Sequence, residues 1–436
     1  MTAVLILIAL FAVLLVGVDI GFALAGLGIA LLLLGDFSPL IVPQSMMASM
    51  DNFILLAVPL FILMSNILLR GGAGEDLFGA VQSWVGHWPG GLAVATILSC
   101  AIFASISGSS VATAATIGTV AIPAMVARGY ERRFVYGLLA AGGTLGILIP
   151  PSIPMIVFGF VMSESIVDLF LAGIGPGVLL TILFVVYAIF HARRGGQQPS
   201  EKASGAERWR ATKRALPTLS LALLIVMGIY FGAFTPTEAA AIGFSASLVI
   251  TLLVLRSLSL RQLPAIAVES MKTTVMVLFI IAGAKVFGHA ITVYRIPQDV
   301  TGMVVSNIAL PVVFILAICL LLLVMGCVLE TLSMMLLMLP IIQPSLATLG
   351  IDPIWFGVIF TMMIECALIT PPVGLNLFVI RAVAVQAEGA TRPPGQAVAT
   401  VGDVVHGTLP FVILILIAVA LVVAVPDIAL TIPFKL

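Results

Sequence analysis

The chain has 436 residues, of which 61 % are hydrophobic and only 9 % are charged, and its mean hydropathy is +1.27. This composition excludes an ordinary water-soluble domain. The net charge is zero and no basic patch is interleaved with aromatic residues, so nucleic-acid binding is not expected. The histidines are scattered and the cysteines lie in apolar runs without ligand spacing. We therefore expect no enzyme, no cofactor and no His or Cys metal centre.

Apolar runs of about 20 residues, the length that crosses a bilayer, recur along the chain and predict an all-α polytopic membrane protein. The stretch after Arg70 is too short and too polar to cross, and its Trp84 and Trp88 suit an interfacial helix. Ser105–Ser110 divides the next run into two pieces that are marginal for a crossing, which favours a re-entrant helical hairpin. The first half is predicted to contain spans at about 3–17, 20–35 and 53–69, an interfacial helix at 75–88, a hairpin at about 90–127, a broken helix at about 134–162 and a span at 168–191.

The broken helix is predicted from GTLGILIPPSIP, at Gly143–Pro154. Proline removes a backbone donor and clashes with the preceding turn, so a helix must break here. The freed backbone groups are tolerable in a membrane only if they are buried in protein or line a cavity. ALITPPVGLNLF, at Ala367–Phe378, repeats the pattern. Two broken helices in corresponding places point to a binding site near the membrane midplane of a secondary transporter.

The second half follows a polar segment at 193–214, which composition predicts to be a flexible cytoplasmic linker. Its apolar runs repeat the order of the first half. It is predicted to contain spans at about 215–234, 237–255 and 273–291, an interfacial helix at 295–308, a hairpin at about 310–348, a broken helix at about 353–385 and a last span at about 405–425.

The two halves, residues 1–192 and 215–436, are predicted to be inverted-topology repeats. Each contains five spans, one re-entrant hairpin and one Pro-broken helix, and an odd number of spans inverts the second half. With the N-terminus outside, 16 of the 19 Lys and Arg residues fall on the cytoplasmic side, as the positive-inside rule requires. Both termini are therefore predicted to be periplasmic.

The two hairpin tips and two broken helices are predicted to bring hydroxyl, amide and carbonyl oxygens together, which are hard ligands that suit Na⁺. The half-helices that begin there add partial positive charge for an anionic substrate. Close helix packing is the alternative explanation for small residues, and the repeated Pro-Pro break favours a site over it. The candidate Na⁺ and substrate-binding residues are Ser107, Gly108, Ser109, Ser110, Thr113 and Ser152 in the first half, and Glu330, Thr331, Ser333, Thr370, Pro371, Gly374 and Asn376 in the second.

Three ionisable residues, Lys285, Glu330 and Glu365, fall inside apolar segments, where charge is costly and by default functional. Lys285 either has a role of its own or forms a structural ion pair with one of the two glutamates. Glu330, at the second tip, is the better candidate for a role in the site.

At these residues the chain resembles the large membrane subunit of a TRAP (tripartite ATP-independent periplasmic) transporter, the M or DctM-like subunit. The resemblance runs nearly end to end through ordered motifs that include FASISGSSVATAATIG, GILIPPSIPMIVFG, TPTEAAAIG and TPPVGLNLF. It implies Na⁺-driven uptake of organic acids, a periplasmic substrate-binding protein, a small four-span membrane subunit and an elevator-like motion of the hairpin-bearing core. It also implies Na⁺ sites that join Ser107–Ser110 to Thr144–Ser152, including Thr144, Pro150 and Pro151, and Glu330–Ser333 to Thr370–Asn376.

The predicted function is secondary active import of an organic acid across the bacterial inner membrane, driven by a Na⁺ gradient. C4-dicarboxylates, sugar acids and sialic acids all stay open as substrates. The alternative is a stand-alone symporter, coupled to Na⁺ or H⁺, that needs no binding protein. A membrane enzyme would need a cluster of His, Asp or Glu residues at an interfacial pocket, and the sequence shows no such cluster.

Overall fold

The computed structural model describes residues 2–195, 197, 201–308, 310–326, 329–372, 374–389 and 399–435. In these residues all regular secondary structure is helical, and no strand is present, as predicted. The first half contains α1 (Thr2–Leu15), α2 (Ile20–Leu34), α3 (Ile41–Met50), a 3-10 turn at Phe53–Leu56, α4 (Ala57–Arg70), α5 (Ala73–Val85), α6 (Gly91–Ser107), α7 (Ser110–Val126), α8 (Arg132–Leu148), α9 (Ile153–Met162) and α10 (Ile166–Arg194).

The second half is also built from helices, and its internal repeat of the first half stays a prediction. It contains α11 (Gly205–Tyr230), α12 (Pro236–Val249) with a π-helical turn at Ile250–Val254, α13 (Leu263–Val293), α14 (Ile296–Asn307), α15 (Pro311–Met325), α16 (Thr331–Thr348), α17 (Pro353–Leu368), α18 (Leu375–Gly389), α19 (Val401–Ala424) and α20 (Asp427–Lys435). Helices α3 and α20 lie outside the predicted elements. The inversion of one half relative to the other stays a prediction.

Seven helices of the described part are long and apolar enough to cross a membrane, and the bent pair α8 and α9 would make an eighth. The bend between α8 and α9 is 41° and falls at the predicted proline break. Helices α6, α7, α15, α17 and α18 are shorter, with 10–17 residues in each apolar stretch. The chain is thus a multi-pass membrane protein that combines full spans with short intramembrane helices.

Capping side chains explain where several helices begin. Asp19 accepts a hydrogen bond from the Gly21 backbone N–H at 2.9 Å and starts α2. Ser109 and Ser152 cap α7 and α9 in the same way. Each cap satisfies a backbone donor that would otherwise be unpaired at the start of the helix.

The polar composition of residues 193–214 predicts a linker, but residues 205–214 form the first turns of α11. Ser204 and Glu207 form a capping box that starts this helix. Arg214 forms a salt bridge with Asp76 of α5, and the Trp84 indole N–H donates to Thr212 at 2.9 Å. The polar residues 205–214 therefore belong to a helix, α11, which packs against α5, the predicted interfacial helix.

Helix α8 lies at the centre of the core, since every residue from Phe134 to Leu148 is buried. It contacts α6, α7 and α19, while α2 packs on α13 and α4 packs on α12. Because its side chains are buried on every face, other helices surround α8 completely instead of leaving one side to lipid. The elements that carry the first hairpin and the first break are thus assembled around α8.

Candidate substrate and cation site

The first hairpin tip is a compact cluster of hydroxyl groups. Gly108 has a left-handed backbone (φ 59°), which allows the sharp turn from α6 into α7. The Ser107 and Thr113 hydroxyls lie 2.8 Å apart, and the Thr113 hydroxyl donates to the Ser109 carbonyl at 2.9 Å. Ser107, Ser110 and Thr113 are buried. The tip therefore presents several oxygen atoms within one turn.

The first break packs directly against this tip. A Cβ placed on Gly108 would lie 2.7 Å from the Pro151 carbonyl oxygen, so the two backbones touch. Ser152 is fully buried and accepts a hydrogen bond from the Met155 N–H at 3.3 Å. Both Pro-Pro bonds, 150–151 and 371–372, are cis. Thr144 is buried one to two turns before the break, and its hydroxyl donates to the Ala141 carbonyl.

Two glycines of α8, which the sequence did not single out as site residues, set the approach of the tip. A Cβ on Gly146 would lie 2.7 Å from the Ser109 carbonyl oxygen, and one on Gly143 would lie 2.6 Å from the Ala114 Cβ. No side chain larger than hydrogen fits there without moving the tip. Their spacing in the GGTLG motif, on one face of a helix, is the signal that could have identified them.

Asn376 of α18 brings the second half into the same cluster. Its amide Nδ2 donates to the Ser110 hydroxyl and, at 3.2 Å, to the Ala140 carbonyl. The side chain is fully buried, and its Oδ1 has no hydrogen-bond partner among the described residues. The family resemblance groups Asn376 with the second tip, whereas its hydrogen bonds join it to the first.

The second tip is built differently from the first. Glu330 stands at the start of α16, its carboxylate accepts from the Ser333 hydroxyl at 3.4 Å, and Thr331 begins the helix. Residues 327–328, part of the predicted tip, lie outside the described residues. Gly374 (φ 45°) turns the chain over the Thr370 carbonyl oxygen. Among the described residues, no side-chain hydrogen bond joins Glu330, Thr331 or Ser333 to Thr370 or Asn376.

Of the other two ionisable residues in apolar helices, Glu365 lies near the Leu148 backbone, just before the first Pro-Pro break, and Lys285 lies apart from both tips. Glu365 of α17 is fully buried, and within the described part neither of its carboxylate oxygens has a hydrogen-bond partner. Lys285 forms no ion pair with Glu330 or Glu365. Its ammonium instead lies 4.8 Å from the centre of the Phe160 ring. The ion-pair interpretation of Lys285 is therefore wrong.

The fold and the site together define a multi-pass membrane transporter subunit. A family model described as the DctM component of tripartite ATP-independent periplasmic transporters matches residues 7–428, and the chain belongs to this family. It is 39 % identical to the C4-dicarboxylate TRAP transporter large permease protein DctM of Pseudomonas aeruginosa, over 88 % of this chain and 87 % of that protein.

Two further relatives carry different substrates in their names. The chain is 34 % identical to the sialic acid large permease protein SiaM of Vibrio cholerae, over 96 % of this chain and 95 % of the relative. It is 35 % identical to the ectoine TRAP transporter large permease protein TeaC of Halomonas elongata, over 91 % of this chain and 90 % of that protein. The crystal structure of the Alcanivorax borkumensis YdaH transporter has the same fold, with a TM-score of 0.60 at 14 % identity over 90 % of this chain and 88 % of that one.

Proposed function

We propose that this large permease subunit imports an organic acid across the inner membrane, driven by a Na⁺ gradient. A periplasmic substrate-binding protein delivers the acid, and a small four-span membrane subunit completes the transporter, with both termini of the large subunit in the periplasm. The names of the relatives, which cover C4-dicarboxylates, sialic acid and ectoine, support a carboxylate-bearing substrate.

The observation that carries Na⁺ coupling is the Asn376 Oδ1, which is buried and has no hydrogen-bond partner within the described residues. A buried polar atom without a partner costs free energy unless something binds it. It belongs to the residue that bonds Ser110, beside the hydroxyls of Ser107 and Thr113. Neutral amide, hydroxyl and carbonyl oxygens are the ligands expected for Na⁺.

The helix ends supply the field for the anion. Helices α7, α9, α16 and α18 begin at Ser110, Ile153, Thr331 and Leu375, next to the tips or the breaks. Each N-terminus carries about half a positive charge and unpaired N–H groups. Na⁺ at the junctions offsets the cost of moving a carboxylate out of water, so we propose that ion and acid cross together. The hairpin-bearing core then slides against the other helices as an elevator.

A second candidate is proton coupling, with or without a binding protein. The two carboxylate oxygens of Glu365, which are buried and have no hydrogen-bond partner within the described residues, support it, because an intramembrane carboxyl can carry a proton.

Thermal unfolding of the purified subunit in nanodiscs, in Na⁺, K⁺ or choline at equal ionic strength, tests the proposal. At roughly ten times Kd, Na⁺ should stabilise the folded state by about 1.4 kcal/mol, a rise of about 1–2 °C in the apparent Tm of a chain of this length. Asn376→Leu should abolish the Na⁺-specific rise, and Asn376→Asp, which keeps an oxygen, should retain it. Thr181→Val, which removes a half-buried hydroxyl of α10, is the matched control.

Equal Tm values in the three cations would contradict Na⁺ binding as assigned. The next measurement would then be proton uptake by wild type and by Glu365→Gln in proteoliposomes. A Na⁺ effect that survives Asn376→Leu would move the ion site away from the first tip while leaving Na⁺ coupling intact.

A further inference from the structure

A cavity of about 930 Å³ lies apart from the hairpin tips, between α3 and α13 on one side and α9 and α16 on the other. Its lining includes the polar side chains of Gln44, Ser45, Asn52, His289 and Gln343. Polar groups at membrane depth are expensive against lipid and are found where they face protein or water. The volume lies within the range of sites that enclose small organic ligands.

Lys285 projects into this cavity from the middle of α13. The residue is half-buried, and its ammonium lies over the Phe160 ring of α9. Within the described part of the chain, no carboxylate lies at ion-pair distance from it. A cation–π contact holds the ammonium in place without neutralising it. The ammonium group therefore has no carboxylate partner among the described residues, and a lysine in an apolar helix is favoured where water or an anion lies beside it.

The acidic side chain in the described lining is Glu164, in the turn between α9 and α10. Burial, together with the carboxylates of Asp352 and Asp168, raises the pKa of Glu164. Glu164 thus faces other acids, and it does not supply the counter-charge for Lys285. His289 lies one turn after Lys285, and its Nδ1 is 3.5 Å from the Ser45 hydroxyl.

We propose that this cavity is a water-filled vestibule in which Lys285 binds the carboxylate of an organic acid before the acid reaches the hairpin tips. Ser45 and His289 lie along the same wall and supply further hydrogen-bond donors. Because α13 contributes the cation and α9 and α16 the opposite wall, the anion would bind at the boundary along which the core moves. The inference rests on the proposed function for the identity of the anion, whereas the cavity and the lysine without a carboxylate partner are observed in the described part of this chain.

The experiment measures the electrostatic potential at His289, one helical turn from the lysine. His289→Cys in nanodiscs is treated with an anionic sulfonatoethyl or a cationic trimethylammonium-ethyl methanethiosulfonate, and both rates are followed by peptide mass mapping. The wild-type protein, which carries Cys327 besides the buried Cys100, Cys319 and Cys366, is treated in parallel as the blank, and the peptide masses assign each modified cysteine. All buffers contain K⁺ and no Na⁺, so the result does not depend on the proposed Na⁺ sites.

The anionic reagent should react faster while Lys285 is present. Lys285→Gln should lower the anion-to-cation rate ratio about fivefold, since removing one charge about a helical turn away affects the two reagents in opposite directions. Lys285→Arg should preserve the ratio. Lys272→Gln removes the same charge from the same helix outside the cavity and should leave the ratio unchanged.

A second arm tests binding of the anion itself. Succinate at millimolar concentration, matched in ionic strength with potassium chloride, should slow the anionic reagent in His289→Cys and have no effect once Lys285→Gln is added. The vestibule proposal would be overturned if Lys285→Gln left the anion-to-cation rate ratio unchanged, or if neither reagent reacted with His289→Cys. If succinate did not slow modification of the cysteine in His289→Cys, the proposed role of Lys285 in binding a carboxylate would be wrong. Neither result bears on the Na⁺-dependent Tm shift, so the two proposals fail separately.

Discussion

At the scale of single residues, the first tip depends on the absence of side chains as much as on its hydroxyls. Gly146 lets the Ser109 carbonyl approach α8 so closely that an added Cβ would lie 2.7 Å from its oxygen and 2.9 Å from the Thr113 hydroxyl. These are the oxygens that the proposed ion site uses. The glycine therefore controls the site without contributing a ligand to it.

Gly146→Ala should push the tip away from α8 by a few tenths of an ångström. We expect a destabilisation of about 1–3 kcal/mol, typical of overpacking, together with loss of most of the Na⁺-specific rise in Tm. Thermal unfolding in Na⁺ and K⁺ measures both effects.

Gly79→Ala, in α5, is the matched control, because nothing lies within 4 Å of its added Cβ. It should stabilise the protein by about 0.5–1 kcal/mol through helix propensity, with the Na⁺ response unchanged. An unaltered Na⁺ response in Gly146→Ala would show that the tip does not hold the ion.

The polar residues and prolines of the site were predictable from the sequence, but the partner of Asn376 was not. Its position after the second Pro-Pro break predicts a role at a broken helix, and that break is present. Its hydrogen bonds go to Ser110 and Ala140, more than 200 residues away. Local sequence fixes which oxygens a break exposes, whereas packing of α18 on α7 and α8 decides which tip they meet.

At the scale of elements, the apolar runs and prolines predicted most of the helices, but not α3, α20 or the polar start of α11. The charged composition of residues 205–214 predicts a linker. In the structure, Arg214 and Thr212 bind α5, and a capping box starts α11 before its apolar part begins. Polar composition indicates exposure to water or to the interface. It does not distinguish a loop from a helix that packs only one face.

The crossing of α8 and α19 gives a prediction at this scale. A Cβ on Gly407 would lie 1.9 Å from the Arg133 carbonyl oxygen, and one on Gly137 would lie 1.9 Å from the Gly407 carbonyl oxygen. Since both obstacles are backbone, Gly407→Ala must separate the helices, and we expect a loss of about 1–3 kcal/mol or more. The apparent Tm measures the loss.

Gly402→Ala on the same helix provides the comparison. Its added Cβ would make an ordinary contact, 3.6 Å from the Thr400 hydroxyl oxygen. We expect its Tm to equal or slightly exceed that of wild type. Equal losses in the two variants would mean that the α8–α19 crossing is not the tight contact described.

At the scale of the whole molecule, the proposed elevator requires the hairpin-bearing core to move past α13. Helix α13 meets this core at α16, where Gly288 faces Pro340. A Cβ on Gly288 would lie 3.9 Å from the Pro340 Cβ, within the range of about 3.5–4.5 Å that a disulfide spans. The contact thus offers a covalent lock between the two parts.

Gly288→Cys combined with Pro340→Cys should form a disulfide on mild oxidation and stop uptake of a radiolabelled organic acid by cells that express the complete transporter. Reduction should restore uptake, because the bond blocks sliding and leaves the hairpin tips untouched. Each single cysteine variant, oxidised in parallel, should keep transporting. Wild-type uptake by the fully cross-linked double variant would contradict the elevator, since the substrate would then cross while α13 and α16 stay fixed to each other.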